Sequence, residues 1–442
     1  MHKGARALLL VIRTLPFFFL VQTNDFYPEQ VKLAWTSNEN ELSVTWVTYM
    51  SAASYATVMP ILCSEAGKEM KFKGHSKQFN TGSPEVLRYQ FIHSAVISNI
   101  LRECFYEYYV GNLVYSSRTF TFKGVTPTSP AFPASKVPAS LIVLGDLGTG
   151  HKSKGTKDLL LKEADIKLYD GIIHLGDIAY DLNLDLGEIG NEFLRMMTPI
   201  AGKLPYMTLP GNHEKYQNFT HYKHRFKMPK NKANKGTNYF YSFNLGYAHF
   251  VLFNTELFLT DKNRGAFLTQ YNWLIKDLKK AASNRHAYPW LIVGSHHPLY
   301  CSVDWLDLYP NEDCYDRAQF LRSMLEELFL KYKVDVYFSG HVHNYQRSAP
   351  VFNNATIHSE FDSDHIHINP RAPIHIVTGN AGNNHGYDDK ISRTPSEWSL
   401  CISQSYGYGH LHVYNRTHLY WEQVKAPTME LVDYVWIVKD DI

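Results

Sequence analysis

The sequence predicts a two-part protein, an all-β sandwich followed by an α/β domain, and three observations lead there. From about Asn24 to Phe122 short β-branched and aromatic runs recur between turn residues, some of them alternating apolar with polar side chains. A Pro/Ser/Thr/Ala-rich stretch, Val125–Ser140, then breaks the pattern as a linker does. Beyond it the apolar runs become continuous and are separated by segments of helical period, as in strands buried on both faces.

The chain of 442 residues begins with a basic stretch, His2, Lys3 and Arg6, two apolar runs, and small residues near Thr23. Residues 1–23 therefore read as a signal peptide, and no later stretch is long and apolar enough to span a membrane. Sequons at Asn218, Asn354 and Asn415 accord with export, to the cell exterior or to a lysosome. The cysteines are Cys63, Cys104, Cys301, Cys314 and Cys401, an odd set that leaves at least one thiol unpaired within the chain. A Cys301–Cys314 pair would close a short loop, and a Cys63–Cys104 pair would staple the N-terminal region. The net charge of +2 offers no bulk basicity for nucleic acid.

Residues 24–125 form the expected sandwich, with Leu42–Val47 alternating, Tyr89–Ile97 alternating in part and Ser116–Phe122 as a further β run. Residues 126–138 are the linker, and 139–442 the second domain. There Leu141–Leu144, Gly171–Leu175, Trp290–Val293 and Val334–Phe338 read as strands. Thr156–Tyr169 reads as a helix. So does Phe267–Ala282, with Leu268, Tyr271, Leu274, Ile275 and Leu278 on one side, and Asp316–Lys331, with Phe320, Met324, Leu325, Leu328 and Phe329. On this pattern one sheet is covered on both faces by helices.

Five apolar runs end alike, in a glycine and then polar residues: Gly145-Asp146-Leu147-Gly148, Gly176-Asp177-Ile178-Ala179-Tyr180-Asp181, Gly211-Asn212-His213-Glu214, Gly294-Ser295-His296-His297 and Gly340-His341-Val342-His343. Strand carboxyl ends gather at one edge of an α/β sheet, where ligands bind. That brings Asp, Asp, Tyr, Asn and His side chains together. A set of oxygen and nitrogen donors suits iron, zinc or manganese, and seven donors exceed one tetrahedral ion. Two ions about 3.5–4 Å apart, sharing a carboxylate, can clamp a phosphoryl group. Each motif alone has a plain structural reading: a Gly-Asp turn, Asn212 as a helix cap, His296 and His297 as a buried loop pair.

In this order the motifs resemble the purple acid phosphatase family, including its animal, iron–zinc branch, over about Leu141–Val424. Residues 373–383 and 407–410 are similar to the family as well. The resemblance implies a four-layer metallophosphoesterase sandwich of α/β type, preceded by a fibronectin-type-III-like domain. It implies that Asp146, Tyr180 and His343 hold a ferric ion, that Asn212, His296 and His341 hold a divalent zinc, iron or manganese ion, and that Asp177 bridges them. It further implies hydrolysis of small phosphate monoesters by attack of a metal-bound hydroxide. Tyr180 would give the ferric centre its colour and separates this family from other metallophosphoesterases. His213 is the expected proton donor or phosphate-orienting group, with His297 the lesser candidate; Arg347 is expected to support its loop. Where many members carry a further histidine after the His296 motif, this chain has Trp305 and Leu306. A phosphodiesterase or nucleotidase on the same scaffold, or a secreted binding protein with an inactive metal site, are the competing readings. The segment 352–371, with His358, His365 and His367, is expected to be a surface loop beside the site. Oligomeric state is not legible.

Overall fold

The computed structural model describes residues 25–441 apart from 84, 102–103, 125–137, 167, 232, 234–236, 261–263, 304–313 and 388–394. The expected signal peptide, nearly all of the linker, and Trp305 and Leu306 lie outside the described residues.

The first domain is two antiparallel four-stranded sheets. One runs Glu29–Trp35, Leu42–Thr48, Tyr89–Ile97, His75–Asn80; the other runs Met70–Lys73, Tyr55–Ile61, Phe105–Gly111, Phe120–Lys123. The strand expected over Ser116–Phe122 is shorter and later, with Ser116 making only an isolated bridge to Gly111. Just before it, Val114 and Tyr115 belong to a turn closed by the Asn112 side chain, which accepts both their N–H groups. A disulfide joins Cys63 to Cys104 across the ends of two paired strands. Cys301 is also disulfide-bonded, Cys401 is free, and the side chain of Cys314 lies outside the described residues.

The second domain contains two mixed sheets sharing one core, with helices in the connections, in keeping with the four-layer α/β sandwich that the resemblance implies. The eight-stranded sheet starts with three parallel strands, Tyr206–Thr208, Gly171–His174 and Ala139–Leu144. Gly407–Val413 then adds antiparallel to Ala139–Leu144, followed by His418–Lys425 and Glu430–Val438. In the seven-stranded sheet Ala248–Leu252, Trp290–Gly294, Val336–Ser339 and Ile374–Thr378 are parallel neighbours. Phe338 meets Trp421 at 4.9 Å between the sheets. The hydrophobic pattern by itself gives one sheet between helices; the structure has two, the four layers that the resemblance implies. A continuous apolar run reports two covered faces, not whether a helix or a sheet covers each.

The helices Lys154–Ile166, Glu188–Ala201, Arg264–Ala282 and Cys314–Lys331 occupy the connections. Helix Arg264–Ala282 buries Gln270, Trp273, Leu274, Leu278 and Ala281, a stripe of helical period. Leu268 and Phe320, expected on buried faces, are both 46% exposed. Segment 352–371 is no loop beside the site. It forms two short hairpins, and Ile366–Ile368 pairs with Glu430–Val438 toward the far edge of the eight-stranded sheet. There His367 is buried, 2.7 Å from Asp362. Arg347 grips Asp433 through Nε at 2.6 Å and Nη2 at 2.9 Å, a support within the fold.

Candidate metal centre

All five motifs follow strand carboxyl ends, three in the eight-stranded sheet and two in the seven-stranded one. The sheets face each other, so their loops meet. Backbone hydrogen bonds join them: Asp146 N–H to Gly176 O at 3.2 Å, Gly148 N–H to Ile178 O at 3.0 Å and Gly340 N–H to His296 O at 2.9 Å. Two glycines are needed for this approach. A Cβ on Gly211 would sit 2.3 Å from Asp177 Oδ1, and one on Gly340 would sit 2.5 Å from Asp146 Oδ2. The turns are so tight that Asp146, Asp177, Tyr180 and His341 have φ of 62°, 50°, 55° and 69°. Such angles are costly for residues with a Cβ and are tolerated where the surroundings over-determine them.

The seven candidate ligands fall into two groups. Tyr180 Oη lies 3.0 Å from both Asp146 Oδ1 and His343 Nε2, and the latter two are 3.4 Å apart. On the other side, Asn212 Oδ1 is 3.0 Å from His296 Nε2 and 3.1 Å from His341 Nδ1, while Asp177 Oδ2 is 3.3 Å from His296 Nε2. Ligand atoms of Asp146, Asp177 and His296 all lie within 4.8 Å of one another, so the groups adjoin through Asp177.

The donor chemistry fits cations. His296 Nδ1 donates to Leu175 O at 2.8 Å, so in the neutral ring Nε2 is a lone pair turned on the Asn212 carbonyl oxygen. Two lone pairs facing at that distance repel unless positive charge lies between them. Burial alone would depress His296, yet Asp177 and Asp146 raise it to about 10. Burial, reinforced by Asp146, lifts the Tyr180 phenol well above its usual range, so a phenolate there needs a strongly charged counter-ion. Burial beside other imidazoles keeps His341 neutral, as a ligand must be.

His213 stands at the rim. Its Nδ1 is 3.1 Å from Asp181 Oδ1, its backbone N–H donates to Asp177 Oδ1 at 3.0 Å, and its Nε2 is 3.9 Å from Asp177 Oδ2. Its ring is 4.6 Å from that of Tyr180. Burial would lower it, but Asp177 and Asp181 outweigh that and raise it to about 9. His297 is buried, its Nε2 is 2.6 Å from Glu256 Oε1, and its ring is 3.8 Å from that of His341. It lies near enough to His296 and His341 for all three to surround an ion, but Glu256 occupies its Nε2.

Three residues escaped the sequence reading. Glu214, last in its motif, accepts N–H bonds from Asp177, Ile178 and Gly211, each at 2.9 Å, and so ties two ligand loops together. Glu256 anchors His297. His385 lies 5.2 Å from the Tyr180 ring, on the loop after Ile374–Thr378. A signal for it existed: Ile374–Thr378 is a sixth apolar run ending in glycine, Gly379, with a histidine shortly after.

Residues 139–345 match the family described as calcineurin-like phosphoesterase. Residues 28–124 match the purple acid phosphatase N-terminal domain, and 372–434 the iron/zinc purple acid phosphatase-like protein C family. The chain is 34% identical over 441 residues to acid phosphatase type 7 of Mus musculus, covering 96% of this chain and 95% of that protein. It is 34% identical to acid phosphatase type 7 of Homo sapiens, covering 93% and 91%. The structure of a purple acid phosphatase isolated from yellow lupin seeds (Lupinus luteus) superposes with a TM-score of 0.77 at 22% identity, covering 94% of this chain and 75% of that one.

Proposed function

Because the chain belongs to the purple acid phosphatase family, we propose that it hydrolyses small phosphate monoesters, with Asp146, Tyr180 and His343 holding a ferric ion, Asn212, His296 and His341 a zinc, iron or manganese ion, and Asp177 shared. The observation that carries the reading is Tyr180, whose phenol oxygen sits at 3.0 Å from both Asp146 and His343. When bound, the ions supply Lewis acidity toward a phosphoryl oxygen and acidify water into a nucleophile. The chain does the rest. Leu175 O sets the tautomer of His296, and Glu214 holds the Asp177 loop. Asp181 fixes Nδ1 of His213, leaving Nε2 toward the ligand cluster to steady a phosphoryl oxygen as charge develops. Tyr180 also favours this reading over a phosphodiesterase, since it is the ligand that the resemblance ties to the monoesterase family.

Export is part of the proposal. The Cys63–Cys104 disulfide and the exposure of Asn218, Asn354 and Asn415 support a glycosylated protein of the secretory route. No helix among the described residues is long and apolar enough to cross a membrane.

The test is elemental analysis with a visible spectrum on the purified protein, beside hydrolysis of an aryl phosphate. Two metals per chain, one of them iron, are expected, with an absorption band that Tyr180→Phe removes. Asp177→Ala should lose both the pair of metals and turnover; full metal content and full activity in that variant would defeat the assignment.

A further inference from the structure

His385 occupies the mouth of the centre without being among the ligands the motifs supply. Its ring lies 5.2 Å from that of Tyr180, 5.6 Å from that of His213 and 6.3 Å from that of His343. It is exposed, and it makes no hydrogen bond or ion pair to any described residue. The neighbouring imidazoles differ. His343 Nε2 faces Tyr180 and Asp146, and His213 Nδ1 faces Asp181. Both nitrogens of His385 are therefore available to something that enters from solvent.

The loop that carries it is held. Asn383 is buried, and its Oδ1 accepts the Gly386 N–H at 3.0 Å. Gly382 and Gly386 take φ of 121° and 99°, which only glycine adopts readily. Asn384 presses on the loop after Ala139–Leu144 so closely that a Cβ on Gly150 would lie 1.7 Å from its Oδ1. Lys152, from that same loop, reaches Asn384 O at 3.5 Å. The imidazole is thus presented at the rim by a pinned turn, with an ammonium beside it.

We infer that His385 is a substrate-contacting residue: its ring N–H donates to a non-bridging phosphoryl oxygen of the bound monoester, on the Tyr180 side of the centre and opposite no protein partner. An imidazole carries at least one N–H in either protonation state, so the role does not depend on its charge. The inference rests on the phosphatase reading and deepens it. It also frees phosphate recognition from Trp305 and Leu306, where the family resemblance expects a histidine.

The test compares metal-loaded wild type with His385→Phe, which keeps a ring against Tyr180 but no donor, and His385→Gln, which restores a donor. The readouts are calorimetric binding of inorganic phosphate, KM and kcat for an aryl phosphate, metal content and thermal midpoint. His385→Phe should raise the phosphate Kd and the KM about tenfold, the cost of one hydrogen bond to a charged acceptor. Metal content and midpoint should not change, and His385→Gln should recover most of the affinity. Phosphate binding by His385→Phe equal to wild type overturns the inference. So does metal loss in that variant, which would make the ring a support for Tyr180, and so does a His385→Gln as impaired as the Phe form. Those outcomes leave the phosphatase reading intact. A metal-loaded wild type that neither binds phosphate nor turns over the ester would remove both.

Discussion

Glu214 is not a candidate ligand, yet both of its carboxylate oxygens are engaged with ligand-loop backbone. It is 2% exposed and accepts three N–H bonds from two motifs. Those N–H groups are buried, and each buried donor left unsatisfied costs about 1–3 kcal/mol. The turns it holds already contain left-handed Asp177 and Tyr180, so local strain would relax once the brace is gone. Glu214→Ala should lower stability by about 3 kcal/mol or more and reduce metal content, measured by chemical denaturation and elemental analysis. Glu214→Gln, which keeps one acceptor oxygen, should fall between. Unchanged metal content in the Ala variant would show that the loops hold their shape without it.

At the scale of elements, the junction of helix Lys154–Ile166 with strand Gly407–Val413 carries a buried charge network. His410 Nε2 is 2.9 Å from Glu163 Oε1, and its Nδ1 is 2.9 Å from Glu422 Oε1 on the adjoining strand. Burial opposes protonation, but the two carboxylates outweigh it and raise His410 to about 9. An unfolded histidine titrates near 6.5, so the folded protein binds this proton more tightly. The resulting stabilisation is complete below about pH 6.5 and lost as pH rises through about 9, on the order of 3 kcal/mol. Denaturant midpoints should therefore fall between pH 6 and pH 9.5 in wild type and change less in His410→Gln. Parallel titration curves for the two proteins would rule the network out as the source.

Over the whole molecule, the sandwich and the α/β domain are joined by one continuous apolar core. Trp35 is 5% exposed and its ring lies 5.0 Å from that of Phe243 in the second domain. Around it, Arg195 reaches back to Glu29 at 3.0 Å and to Tyr49 Oη at 2.6 Å, and Tyr108 Oη donates to Gly202 O at 2.7 Å. Calorimetry should show one cooperative transition for both domains, and Trp35→Ala should lower stability by about 3–5 kcal/mol. Two resolved transitions in wild type would mean that the seam is energetically silent.

The sequence by itself determined the two-domain texture, the chemistry of the donor set and the candidate ligand from Asp146 to His343. Strand runs, terminal glycines and polar triplets are local properties, and local properties are written in order along the chain. The helix over Phe267–Ala282 is legible for the same reason, although Leu268, expected on its buried stripe, is 46% exposed. Helical period shows that a stripe exists but not where its margin lies, and the neighbours decide that. Tertiary structure alone decided that Glu214 and Glu256 brace the site and that His297 is turned toward Glu256. It also brought His385 to the mouth from a strand of the other sheet, more than 200 positions after Asp177 and Tyr180. Such contacts depend on how separate elements pack, and no periodicity in the chain encodes a distance between residues that meet only when both sheets close on each other.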